Sequence, residues 1–532
     1  MKKTSSRIMQ KAAETFNRIP TWILIMLFAL LPALFTFLLV RIRIDSTINQ
    51  FVPVTDVDQI IYWHEILTFQ QAGFNGGYYT ILENPAPLGI FHFDAHGPIF
   101  IVTYGLVSKL VGWSYSTGIY LNMGILGLAF AVFARKSKLD RIQIVLAGIA
   151  LITCWPVIFY LPSIYQEAFQ QSLAILLALF FYLAISQQHR MTTAAKVGIV
   201  GFLIFASLTR ISWSLLFIPL LMLMFRKQLR QQTTAVILAL ILMLGVQWVS
   251  AQFNAQGASF ITFILLGFKE GFWQGIQAML FTLRDNVSRF YYEDLGELTL
   301  PVRIFHLNIA AVIAATIAEL AMNIKRKNKL LPESDGVSKR VAVNAFTLFN
   351  LLSIVGIAFA IYLYNGNFRL FAPHLLLSLL LLIAAKQYKP AFISMVVSVI
   401  FLPFLLNAYG TYWRPNYFTK SDVLAQIKFE MELNIAYQPE QENPWCNTIF
   451  MPASFFGYPV SQIPAGIGVS HYINRDWNFP LFEQPTLPLK SKYVMLDNAT
   501  YGELAGYIPL NLQEMDVFSF GTLYLNLDAD CP

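Results

Sequence analysis

Charge is scarce in this sequence: Asp, Glu, Lys and Arg together make up 13% of 532 residues, against roughly a quarter in an ordinary soluble domain. Too few charges exist to cover several soluble globules, so most of the chain must use lipid as its solvent. Collagen, disorder and nucleic-acid binding are excluded at this step. Cysteine is scarcer still, and three residues are too few for a disulfide scaffold or a structural zinc site. No internal repeat and no low-complexity tract is evident. What is present is apolar, with 56% of the residues hydrophobic and 15% aromatic, and a mild basic excess of 37 Lys and Arg over 30 Asp and Glu.

Apolar runs near residues 22–40, 115–134, 142–160, 168–186, 197–209, 211–225, 233–253, 303–324, 341–364, 368–385 and 390–407 read as eleven transmembrane spans. Lys2, Lys3, Arg7, Lys11 and Arg18 precede the first run, which places the N-terminus in the cytoplasm. That run continues into Arg41, Arg43 and Asp45 with no small-residue cleavage site, so it is a retained helix rather than a signal peptide. Under this count the short cytoplasmic loops hold about 22 of the 37 basic residues, as the positive-inside rule requires. Residues 98–113 are then a short helix dipping in from the outer face, because a full span there would export Arg135, Lys136, Lys138 and Arg141. An odd number of spans leaves the C-terminus outside.

The expected fold is an α-helical polytopic membrane protein of about 11 transmembrane helices over residues 1–407, with outer loops at 41–114 and 254–302. A small C-terminal extracytoplasmic α/β or α+β domain follows over residues 408–532. Its signs are the return of Pro, Asn, Asp and Glu after Asn416, interleaved with short β-type runs at 447–450, 492–496 and 517–525. Cys446 and Cys531 both fall there, on the oxidising side, where a disulfide would staple the chain end to the domain; two free thiols in oxidised whole cells would remove that expectation. In residues 268–283, Phe268, Phe272, Trp273, Ile276, Met279, Leu280 and Leu283 recur at helical spacing opposite Lys269, Glu270, Gln274 and Gln277, as in a helix lying in the membrane interface.

Ionisable residues at membrane depth or at its rim are costly and usually functional, and here they gather on the outer side. Asp56 and Asp58 stand just before a helical run that ends near Gly73. One aspartate there is an ordinary helix cap; two at a membrane rim also suit a general base toward an acceptor hydroxyl, or ligands for a divalent cation. His96-Gly97-Pro98 is a turn followed by a helix start, and it sets the imidazole beside free N–H donors suited to a phosphate. Lys109 lies further along that helix. Glu167 sits at the mouth of one span, Arg210 in the next outer turn and Arg369 in a late one. A snorkelling side chain is the plain alternative for each arginine.

Together Asp58-Gln59-x-x-Tyr62, His96-Gly97-Pro98 with its aromatic-rich helix to Gly112, Glu167, and Phe368-Arg369-x-x-x-Pro373 resemble the GT-C class of glycosyltransferases. These are polytopic enzymes that use polyprenyl-phosphate sugars, and they include protein O-mannosyltransferases and the aminoarabinose transferases of lipid A. The likeness covers the order of elements across about 400 residues. Gln59 and Gly97 stand where this class commonly has an acidic residue and a proline, and either Asp58 or Asp56 fits the base. The resemblance implies a monosaccharide moved with inversion from a polyprenyl-phosphate donor to a glycan, lipid or protein acceptor outside a bacterial plasma membrane. It further implies Asp58 or Asp56 as base, Glu167 orienting the acceptor or a sugar hydroxyl, and His96, Arg210, Arg369 and Lys109 on the donor phosphate. Arg284 or Arg289 would close over the site from the second outer loop. No cofactor is implied beyond a divalent cation at Asp56 and Asp58. Two rivals use the same composition: an O-antigen-type polysaccharide polymerase or ligase, whose donor carries a diphosphate and an oligosaccharide, and a lipid or solute transporter. Transporters of this size usually show repeated halves and charged helices at the midplane.

Overall fold

The computed structural model is predominantly helical and describes residues 18–53, 57–88, 97–187, 191–225, 228–254, 260–329, 335–360, 368–414, 417–419, 435–452, 459–472, 489–506, 508–518 and 520–531. Helix α1 (Thr21–Leu39) leads into a segment with α2 (Val57–Ala72) and α3 (Pro98–Val111). Next come α4 (Tyr115–Lys136), α5 (Arg141–Thr153), α6 (Trp155–Tyr160), α7 (Gln166–Ser186) and α8 (Thr193–Thr209), then a 3-10 turn at Ile211–Leu216, α9 (Phe217–Met224) and α10 (Leu229–Phe253). Helices α11 (Phe260–Glu270) and α12 (Phe272–Tyr292) precede α13 (Thr299–Lys329), α14 (Asp335–Ala360), α15 (Ala372–Ala384), α16 (Tyr388–Ile400) and α17 (Leu402–Trp413).

Six helices among the described residues are long and apolar enough to cross a bilayer, and a seventh span results if the bent pair α16 and α17 is counted as one. The chain is therefore an integral, multi-pass membrane protein. By length and composition this count falls short of eleven, and prolines explain part of the difference. A proline inside a helix removes one hydrogen bond and clashes with the carbonyl four residues back. Pro156 accordingly splits the expected span 142–160 into α5 and α6, and Pro403 sits at the 61° bend between α16 and α17. Helix α15 has 13 residues, about 20 Å of rise against the roughly 30 Å of a hydrocarbon core. The interfacial helix expected over 268–283 is instead two helices broken at Gly271, folded back on each other. Gly275 permits that close approach, since a Cβ there would stand 2.3 Å from the Phe268 ring.

Burial is deepest around α15, whose every residue is buried against α5, α7, α14 and α16. Helix α7 is buried along nearly its whole length beside it. Because Glu167 lies in the first turn of α7 and Arg369 shortly before the start of α15, the two best-packed helices present their charged beginnings together.

The last part of the chain forms a mixed six-stranded sheet, and its edge strand comes from far upstream. In chain order the strands are β1 (Phe51–Pro53), β2 (Thr80–Ile81), β3 (Tyr417–Thr419), β4 (Thr448–Pro452), β5 (Gly468–Tyr472), β6 (Tyr493–Leu496), β7 (Leu512–Phe518) and β8 (Gly521–Asn526), with α18 (Asn498–Ala505) between β6 and β7. The sheet runs β2-β5-β4-β6-β8-β7, parallel from β2 to β6 and antiparallel beyond; β1 pairs separately with β3. Thr80 pairs with Ser470 across 390 residues. The carboxylate of Glu83 accepts the backbone N–H groups of Lys490 and Ser491. His64 on α2 donates from Nε2 to the Ile463 carbonyl at 2.9 Å and accepts at Nδ1 from the Tyr79 hydroxyl at 2.6 Å. Residues 57–88 and the C-terminal sheet are thus one packed body. A disulfide joins Cys446 to Cys531, with Cα atoms 5.5 Å apart.

Candidate functional site

Asp58, Arg369, Glu167 and Arg210 form one chain of ion pairs. Asp58 stands in the first turn of α2, where the positive end of the helix dipole favours a carboxylate. Its Oδ2 accepts from Arg369 Nη1 at 2.6 Å. The Nε of Arg369 donates to Glu167 Oε1 at 2.7 Å, and the same oxygen accepts from Arg210 Nη2 at 2.7 Å. Glu167 is fully enclosed, whereas the side chains of Arg210, Arg369 and Asp58 are 15%, 20% and 30% exposed. Burial therefore grades from a sealed carboxylate to an accessible one, with two guanidinium groups between. A sealed carboxylate is expensive unless fully paired, and Glu167 meets that demand with both arginines.

Local structure aims each cation. Arg210 caps the C-terminal end of α8, where the dipole favours positive charge. Its Nη1 donates to the Arg369 carbonyl at 2.8 Å, so one arginine also fixes the backbone of the other. The Arg369 guanidinium lies over the Tyr165 ring, 4.7 Å from its centre, adding a cation–π contact. Gln59 accepts from the Ile164 N–H at 3.3 Å, which seats α2 against the turn leading to Glu167.

Helix α2 carries two further groups on the same face as Asp58, at i+4 and i+7. Tyr62 and Glu65 are each 1% exposed. Burial first, and the Asp58 charge second, raise the Tyr62 hydroxyl well above the ordinary tyrosine value, so it stays protonated. In the sequence Tyr62 stands only as part of the Asp58-Gln59-x-x-Tyr62 motif, and the i, i+4, i+7 spacing of Asp58, Tyr62 and Glu65 is the signal that sets all three on one face.

The other nominated residues fall elsewhere. Asp56 and His96 lie outside the described residues, so neither the choice of base nor the divalent cation is addressed by geometry. Gly97, next to His96, is described: its φ of 77° is a left-handed conformation, and a Cβ would stand 2.6 Å from Asn254 Oδ1 and 3.7 Å from the Leu208 carbonyl. Glycine is thus required there, and the start of α3 sits close to the chain leading into Arg210. Lys109 lies over the Phe69 ring at 5.1 Å, eleven residues and roughly 17 Å along α2 from Asp58. Arg289 pairs with Asp285 at 2.8 Å on α12, and Arg284 is exposed on the same helix. Among the described residues, no ion pair or hydrogen bond joins Lys109, Arg284 or Arg289 to the Asp58 group. Among the described residues there is also no cluster of three or more His, Cys, Asp or Glu side chains able to hold a metal ion.

No family model matches the chain, and no curated protein matches it in sequence. Two solved structures, both of ArnT from Cupriavidus metallidurans, are similar to it. One, in the apo state, shows 10% identity over 95% of this chain and 98% of that one, with a TM-score of 0.37. The other, bound to undecaprenyl phosphate, shows 11% identity over 95% of this chain and 99% of that one, also with a TM-score of 0.37.

Proposed function

We propose that this chain is a membrane glycosyltransferase that moves a monosaccharide from a polyprenyl-phosphate donor to an acceptor outside the cell, in a bacterial plasma membrane with the N-terminus cytoplasmic and the C-terminus outside. The observation that carries the reading is the Asp58–Arg369–Glu167–Arg210 chain, which sets a partly exposed carboxylate beside two arginines at one end of the buried helices. Such a pairing meets the two demands of glycosyl transfer: a base for the acceptor hydroxyl and positive charge for the departing phosphate.

In this mechanism the donor phosphate enters opposite Arg369 and Arg210 and takes over the guanidinium now held by Asp58. Arginine suits the task because its planar fork holds two phosphate oxygens at once. Released from its ion pair, Asp58 accepts the proton of the acceptor hydroxyl as that oxygen attacks the anomeric carbon. The bond from that carbon to the phosphate oxygen breaks, and polyprenyl phosphate departs against the two arginines. A single attack inverts the anomeric centre. Glu167, sealed behind both cations, holds them side by side; this differs from a role orienting acceptor or sugar. His96, two residues before α3 in the chain, adds a phosphate contact, and Arg284 or Arg289 closes the site from residues 254–302. A divalent cation, if one binds, belongs at Asp56 and Asp58. The two parts divide after α17, which runs past the expected boundary at 407 to Trp413, and residues 57–88 pack on the C-terminal sheet.

Asp58→Ala is expected to abolish sugar transfer while membrane insertion is unchanged, and Arg369→Ala to weaken use of the donor. The measurement is transfer by purified protein, guided by mass spectrometry of cell-envelope glycans with and without the chain. Full transfer by an Asp58→Ala, Asp56→Ala double variant would overturn the assignment.

A further inference from the structure

Directly behind the two arginines lies a second set of polar side chains that the proposed reaction does not use. Gln170 is one helical turn beyond Glu167 on α7 and is fully buried. Its Oε1 accepts from Trp213 Nε1 at 2.7 Å and, more distantly, from the Thr209 hydroxyl at 3.5 Å. Trp213 stacks on His374, with ring centres 4.3 Å apart and planes inclined by 26°. His374 in turn stands between Asn350 on α14, 2.6 Å from Nδ1, and Ser212, 3.2 Å from Nε2. Asn350 Nδ2 donates to the His374 carbonyl and to the Ser378 hydroxyl, both at 2.9 Å. Its Oδ1 is left to accept from His374 Nδ1–H, so Nε2 accepts from the Ser212 hydroxyl. The sequence Asn–His–Ser has the hydrogen-bond order of a nucleophilic triad. Ser212 is only 3% exposed, and Asn350 and His374 are 1% and 0% exposed, so no substrate reaches this serine and nucleophilic chemistry is excluded.

Placement gives the set another role. Thr209, Ser212 and Trp213 bracket Arg210; His374 follows Arg369 by five residues; Gln170 follows Glu167 by three. We propose that Gln170, Trp213, His374 and Asn350 are positioning residues that lock the turn carrying Arg210 to the helix starts carrying Glu167 and Arg369, and so fix the spacing of the two guanidinium groups. Buried polar groups of this kind are costly unless partnered, and here Gln170 Oε1, Trp213 Nε1, both His374 nitrogens and the Asn350 amide are partnered, while Gln170 Nε2 has no hydrogen-bond partner among the described residues. A network tying four chain segments at one level therefore holds that level rigid, while apolar packing alone tolerates sliding.

This inference rests on the reading of Arg210 and Arg369 as phosphate-binding, and its test keeps the two apart. Reaction of each arginine with phenylglyoxal, followed by mass spectrometry of the detergent-purified protein, reports guanidinium placement with no ligand present. Binding of undecaprenyl phosphate to the same samples reports the ligand reading. Trp213→Phe keeps the stacked ring and removes only the N–H; Gln170→Leu removes its acceptor. Each is expected to raise phenylglyoxal reactivity of both arginines and to weaken undecaprenyl phosphate binding about five- to ten-fold, as loss of one buried hydrogen bond predicts. The double variant should lose less than the product of the single losses, because no unpaired partner is left. Wild-type reactivity of both arginines in folded Trp213→Phe overturns the positioning role, and Trp213→Phe decides the matter if Gln170→Leu fails to fold. Raised reactivity in a protein that binds no undecaprenyl phosphate upholds the positioning role and removes the ligand reading alone.

Discussion

A carboxylate shared by two arginines has a different value from the same carboxylate at a surface. Glu167 is fully enclosed and holds Arg210 and Arg369, each at 2.7 Å. Removing it leaves two guanidinium groups in a largely dry setting, beside the positive N-terminal end of α7. Breaking a buried pair in this way costs about 3–5 kcal/mol, because the surviving charge keeps its desolvation penalty. Glu167→Ala is therefore expected to lower the thermal midpoint strongly in detergent. Asp58→Asn, at the 30%-exposed end of the chain, should leave that midpoint nearly unchanged and slow transfer by about 10²- to 10⁴-fold, the contribution of a positioned base. Scanning fluorimetry and a transfer assay on both variants check the contrast. Equal loss of stability in the two would mean that both carboxylates are structural, and Asp58 would lose its assignment.

Helix α2 couples the site to the C-terminal sheet, and its own chemistry makes that coupling depend on pH. Burial pushes His64 down to about 4 from an ordinary value of 6.5, against the smaller opposing effect of its bonds to the backbone near Ile463. The folded form holds this imidazole neutral, while the unfolded chain takes up a proton below pH 6.5. Stability from this group is thus complete above about 6.5 and is lost as pH falls toward 4, by roughly 3 kcal/mol in all. Thermal midpoints measured from pH 7.5 to 4.5 should fall across that window, and His64→Gln should flatten the fall; an unchanged slope in His64→Gln removes the claim. Long-range ties such as His64 to Ile463, or Thr80 to Ser470, leave no pattern in sequence, because neither partner carries a local signal. The four charges of the site were legible for the opposite reason: each interrupts or bounds an apolar run. Gln170, Trp213, His374 and Asn350 were missed because polar residues inside apolar helices show no spacing that separates a network from isolated satisfied groups. Hydropathy averages over prolines, so the runs 142–160 and 390–407 show neither the break at Pro156 nor the bend at Pro403.

At the scale of the molecule, the site and the sheet must share a side of the membrane, whichever side that is. Asp58 lies five residues after β1, which pairs with β3 immediately beyond the last helix, and α2 is bonded to the turn before β5. One binary choice therefore places Asp58, both arginines and the disulfide together. On the proposed orientation, Arg135, Lys136 and Lys138, at the opposite end of α4 from the site, form the flank that the positive-inside rule assigns to the cytoplasm. The native cysteines allow a clean test, because Cys446 and Cys531 are bonded and Cys154 is buried. A membrane-impermeant maleimide added to intact cells should label Tyr501→Cys, which is exposed on α18, and should reach Lys138→Cys only after lysis. The reverse pattern would put the site in the cytoplasm, away from any extracellular acceptor, and the proposed reaction would fall with it.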